Sequence, residues 1–129
     1  MKVMVFVKAT NESEDGVPPD PKMMEAMGKY NEALIAAGIM KERILGGLEP
    51  THFAKRVHFS GKDRTVIDGP FTETKEVVAG FWLWEVSSVE EAVDWVKKCP
   101  NPMLTDSDVE IRPLYSLEDL TRWKTSRND

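Results

Sequence analysis

Asp68, Gly69, Pro70 and Phe71, followed by Thr72-Glu73-Thr74-Lys75-Glu76, set a carboxylate, a bend, an aromatic ring and several hydroxyl and ionisable groups between two apolar runs. Loops of this kind on a rigid scaffold carry binding and catalysis. Glycine supplies positive φ without steric cost, proline holds φ at about −65°, and an Asp side chain bonds backbone two residues on. Asp-Gly-Pro is therefore expected to hold one bend with the Asp68 carboxylate oriented. So placed, Asp68 is either a general base tuned by burial or a neighbour, or the residue that shapes the turn.

His58 is the second catalytic candidate, because imidazole titrates near neutrality. It alternates with Val57 and Phe59, so it shares a strand face with Arg56, and the pair points either to solvent or into a cleft where it would meet an anionic substrate. Arg56, Phe71, Trp82 and Arg112 are the substrate-binding candidates. Arg112, on one face with Glu110 and Leu114, either clamps a carboxylate bidentately or pairs with nearby acids. Trp82 and Trp84 share a strand face that either stacks a planar ligand or packs in a core. Glu73, Lys75 and Glu76 read as a solvated run. His52 and His58, six apart with no Cys or His companion, do not make a zinc site, and no cofactor is implied. Cys99 follows a helix, where the dipole disfavours a thiolate, so it reads as structural.

These groups need a scaffold, and the bulk composition describes one. At 129 residues, 41% hydrophobic and 30% charged, the chain suits a single domain over residues 1–129 with a core of its own. A lone cysteine excludes an internal disulfide framework and fits a cytoplasmic setting. The first apolar run, Lys2 to Lys8, is too short for a leader or a membrane span and reads as a strand. A net charge of −5 argues against nucleic acid as a partner.

The elements follow in the order β, α, β, β, α, β. Val3 to Val7 is the first strand. Asn11 to Pro19 is a polar, proline-rich loop. Asp20-Pro21 opens a helix as N-cap and first-turn proline, Met23, Met27, Tyr30 and Leu34 form its apolar stripe, and Gly38 ends it. Ile39 to Pro50 reads as a connection. Ala54–Phe59 and Thr65–Ile67 make a hairpin around a glycine turn. Gly80 to Val86 is a strand buried on both faces. Ser88 and Glu91 form a capping box for a helix burying Val89, Ala92, Val93 and Val96. Val109 to Tyr115 is the last strand, and Ser116 starts a tail helix.

Two βαβ-like halves with an antiparallel sheet predict a ferredoxin-like α+β domain with both helices on one sheet face. Phe6, Trp82, Trp84 and Ile111 cannot all lie on that face, and an open face bearing large apolar groups calls for a second chain, hence a homodimer. The Asp-Gly-Pro-Phe run, Gly38, Leu48-Glu49-Pro50, Gly80-Phe81, Cys99-Pro100 and Val109 to Tyr115, taken in order, resemble the DGPF branch of the YCII-related proteins over nearly the whole chain. That resemblance implies a dimeric α+β barrel with a cleft between sheets. It also implies a small-molecule lyase or isomerase working through a His and Asp pair, or else a non-catalytic accessory module linked to extracytoplasmic-function sigma factors. The histidine of the shorter family members falls in the first helix, where this chain has none.

Overall fold

The computed structural model describes residues 1–128. Its centre is β1 (Lys2–Lys8), paired antiparallel on one side with β5 (Val78–Glu85) and on the other with β6 (Val109–Pro113). The short β2 (Leu45–Gly47) adds to the outer edge of β5, so the sheet runs β2-β5-β1-β6. Alternation sets the two faces. Val3, Val5 and Val7 lie on the covered face, in register with Trp84, Trp82 and Gly80. They form one core with Tyr30 and Leu34 of α2 (Pro21–Ala36) and Ala92 of α3 (Val89–Lys97). This is the ferredoxin-like α+β arrangement with α2 and α3 on one face.

Local rules account for the helix boundaries. Asp20 accepts from the Lys22 N–H at 2.9 Å with Pro21 at the first position of α2. At its other end Gly38 takes φ +75°, and the N–H groups of Ile39 and Gly38 return to the carbonyls of Leu34 and Ile35, a Schellman closure. Ser88 accepts from Glu91 N–H at 3.1 Å, while the Glu91 carboxylate reaches past the cap to Ser87 N–H at 3.0 Å. In α3, Ala92 is the fully buried residue and Val93 turns outward. Ser116 and Asp119 exchange backbone-to-side-chain bonds that open α4 (Leu117–Asn128), the tail helix expected.

Three features differ from the sequence reading. The polar loop after β1 contains a helical turn, α1 (Asn11–Glu14), closed by a reciprocal Thr10–Ser13 capping box. The connection after α2 contains the edge strand β2, whose two glycines are weak strand formers held by pairing with Phe81 and Gly80. The hairpin of β3 (Lys55–Ser60) and β4 (Asp63–Asp68) does not join the main sheet and forms a separate two-stranded sheet. Of the four apolar residues that could not share a face, Trp82, Trp84 and Ile111 lie helix-side and Phe6 on the open face. Any association through the open face would therefore use Met4, Phe6, Phe81 and Leu83, not the tryptophans. Among the described residues no helix is long and apolar enough to cross a membrane.

Candidate functional site

A cleft of about 530 Å³ lies on the helix side of the sheet. Val7, Gly80 and Trp82 come from the strands, Met23, Met27 and Asn31 from one face of α2, and Val17-Pro18-Pro19 and Met103-Leu104 from the flanking loops. The loops are built to hold that position. Asn101 accepts from Met103 N–H at 2.9 Å and donates its amide to the Thr105 carbonyl at 3.0 Å. Thr105 then donates to Glu12 at 3.3 Å, and the Thr10 hydroxyl approaches Met103 Sδ at 3.7 Å. The turn after α3 is thus tied to α1 across the cleft.

Its polar equipment is sparse and directional. Trp82 is 4% exposed, and its indole N–H donates to Asn31 Oδ1 at 2.9 Å. An indole nitrogen can only donate, so this bond fixes which way the Asn31 amide faces. Nδ2 is left with no partner among the described residues, a donor at the cleft wall. Glu12 is the sole ionisable side chain among the described lining residues. A cleft of this size with apolar walls and one or two oriented polar groups is the usual form of a small-molecule site.

The Asp68 loop lies elsewhere. Thr51, buried in a single 3-10 turn (Thr51–Phe53), receives Phe71 N–H on its hydroxyl at 3.0 Å. Both its backbone N–H and its hydroxyl donate to the Glu14 carboxylate, the former at 3.1 Å. Gly69 N–H donates to the Ala54 carbonyl at 2.9 Å, and the Gly69–Pro70 peptide is cis. Gly69 does not take positive φ as expected. It is glycine because a Cβ there would stand 1.7 Å from the Thr51 carbonyl oxygen. Nor does Asp68 make the expected bond two residues on, since Pro70 has no N–H to offer. Its carboxylate accepts instead from Lys55 Nζ at 2.5 Å, with both side chains well exposed.

Strand register separates the two residues read as catalytic. Lys55 pairs with Asp68, Val57 with Val66 and Phe59 with Arg64, which puts Asp68 on the Val57 and Phe59 face. His58 pairs with Thr65 and shares the opposite face with Arg56. Asp68 and His58 therefore do not meet within the chain. Arg56 stacks on Phe71, its guanidinium carbon 3.6 Å from the ring centroid. The two border an open groove of about 420 Å³ with Pro50, Thr51 and Glu76. Arg112 is exposed on the open sheet face opposite Met4, and among the described residues it has no ion-pair partner. His52 meets Phe53 edge-on at 5.1 Å. Trp82 alone of the six candidates reaches the main cleft.

Asn31 and Glu12 were not singled out in the sequence. Asn31 had a legible signal, being four residues after Met27 and so a polar interruption of the apolar stripe of α2. Glu12 had none, because α1 reads as loop. Cys99 donates to the Pro100 carbonyl at 3.2 Å, and burial pushes its thiol up to about 11, an unreactive state at neutral pH. Burial also raises the Tyr30 phenol above its ordinary value, and its hydroxyl donates to the Trp95 carbonyl at 2.5 Å. Among the described residues no group of three His, Cys, Asp or Glu side chains converges on a metal position.

An uncharacterised protein of Rhizobium meliloti (strain 1021) is 33% identical over 95 residues, covering 74% of this chain and 75% of that one. A solved structure of 5-chloro-2-hydroxyhydroquinone dehydrochlorinase from Burkholderia phenoliruptrix, in complex with 2,5-dihydroxybenzoquinone, aligns over 92% of this chain and 99% of its own. The TM-score is 0.46 and the identity 19%. The YCII-related domain model matches residues 1–117, and with it the chain belongs to the YCII-related family.

Proposed function

We propose that the helix-side cleft binds a small, largely apolar molecule that presents a hydrogen-bond acceptor to the Asn31 amide. The observation that carries this reading is the Trp82–Asn31 bond, which leaves Nδ2 oriented and unpaired at the wall of a largely apolar space. Burial of the ligand's apolar surface supplies affinity at about 25 cal/mol per Å², and the amide supplies orientation. A neutral ligand fits better than an anion, since the cleft holds no cation and one carboxylate, Glu12.

The separation of Asp68 from His58 favours ligand binding over a lyase or isomerase built on that pair. Within one protomer the group positioned for proton transfer to a cleft ligand is Glu12. The test is a thermal-shift and tryptophan-fluorescence screen of neutral aromatic ketones against the matching aromatic carboxylates. Neutral compounds should stabilise the protein and perturb Trp82 emission, and Asn31→Leu should abolish both effects. Tight binding of carboxylates, or neutral binding indifferent to Asn31→Leu, would reject the reading.

A further inference from the structure

The groove of about 420 Å³ beside the Asp68 loop holds what the helix-side cleft lacks, a cation. Arg56 lays its guanidinium on the Phe71 ring, 3.6 Å from the centroid. The N–H donors of a guanidinium lie in its plane, so stacking leaves them free, and their planar fork matches a carboxylate. Among the described residues Arg56 has no ion-pair partner. The stacking ring is anchored through its backbone, since Phe71 N–H donates to the hydroxyl of buried Thr51, which the Glu14 carboxylate holds in turn. Leu48 and Phe53 also line the groove, and they are 50% and 69% exposed. Phe53 is fixed there by its 3-10 turn, its N–H on the Pro50 carbonyl at 3.1 Å. An aromatic left this bare beside an unpaired cation is surface that a ligand would cover.

Charge selects the ligand. Glu49 and Glu76 line the same groove, and among the described residues neither has an ion-pair partner. A second 3-10 turn, Thr74–Glu76, holds Glu76, whose N–H donates to the Glu73 carbonyl at 2.9 Å. Two carboxylates beside one guanidinium disfavour a simple anion. A simple cation would leave Arg56 unmatched. A molecule carrying both charges answers all three groups, and an apolar side chain on it would cover Phe53 and Leu48.

We propose that this groove binds an apolar zwitterion, an α-amino acid or a short peptide with both termini free, its carboxylate on Arg56 and its ammonium on Glu49 and Glu76. Isothermal titration calorimetry of the full chain at low ionic strength tests this with L-phenylalanine and L-phenylalanyl-L-phenylalanine. The C-terminal amide and the N-acetyl form of each serve as controls that lack one charge. The expected result is binding of one or both zwitterions, weaker by about tenfold or more in either blocked form. The tighter of the two zwitterions identifies a free amino acid or a peptide as the source. Arg56→Gln should erase the preference for the zwitterion over its amide, and Glu49→Gln with Glu76→Gln should erase the preference over the N-acetyl form. Lys62→Gln removes a cation from the same hairpin outside the groove and should change neither preference. All these side chains are exposed, so circular dichroism of the variants should match the parent. Failure of both zwitterions to bind, a blocked form that binds as tightly, or folded Arg56 and glutamate variants with parental preferences would overturn the proposal. If a variant misfolds, the blocked forms on the parent chain still decide.

Discussion

The Trp82 indole N–H and the Asn31 side-chain oxygen, 2.9 Å apart, join the central sheet to α2 at the wall of the cleft. Removing the acceptor strands a nearly buried donor, which costs about 1–3 kcal/mol. Asn31→Leu should lower stability by about that amount in urea denaturation. Asn31→Asp keeps an oxygen for the indole and should cost less, while still losing the free amide donor. Equal losses in the two variants would mean that the bond contributes little and that Asn31 matters through shape alone.

Gly69→Ala is the substitution the Asp68 loop should tolerate least. A Cβ placed 1.7 Å from the Thr51 carbonyl oxygen forces backbone to move, and overpacking of this sort costs about 1–3 kcal/mol or more. Gly61→Ala, at φ +58° with open space around it, meets only the left-handed penalty of about 1–2 kcal/mol. Thermal melts should rank Gly69→Ala as the more damaging, and the reverse order would show that the loop yields more readily than its contacts imply.

Asp68 and Lys55 form an exposed ion pair, and such pairs are worth about 0–1 kcal/mol. Asp68→Asn should therefore leave the melting transition nearly unchanged. It should also leave binding of a neutral aromatic ketone in the helix-side cleft unchanged, as should His58→Ala. A loss of that binding in either variant would connect the hairpin to the cleft and revive the pairing of Asp68 with His58 across two protomers.

Alkaline pH should destabilise the fold through Cys99 and Tyr30. Both groups have raised values when folded, Cys99 from 9.0 to about 11 through burial and Tyr30 above 10.0 through burial. The folded state holds these protons more tightly than the unfolded chain does. The resulting stabilisation is complete below pH 9 and is lost as pH rises through 11 and beyond. Urea midpoints measured from pH 8 to 11 should fall, with a smaller fall in Cys99→Ala. Rapid alkylation of Cys99 by iodoacetamide in the folded protein at neutral pH would contradict the buried thiol.

Local chemistry in the sequence was enough for much of the architecture. Asp20-Pro21 and Gly38 bound α2, Ser88 and Glu91 start α3, and the apolar runs of β1 and β5 mark the sheet centre, because caps and periodicity act over a few residues. Family membership was also legible, in motifs whose order runs the length of the chain. Tertiary structure decided the rest. It recruited Leu45–Gly47 as the edge strand in place of the hairpin, since pairing with β5 outweighs the poor strand propensity of two glycines. It gave Gly69 its reason through Thr51, a residue 18 positions earlier whose carbonyl leaves no room for a Cβ. It also set His58 and Asp68 on opposite faces of one hairpin and brought Glu12 and Asn31 to a common cleft. Residue types announce what chemistry is available, but which groups share a space depends on register and long-range packing, and these belong to the folded chain alone.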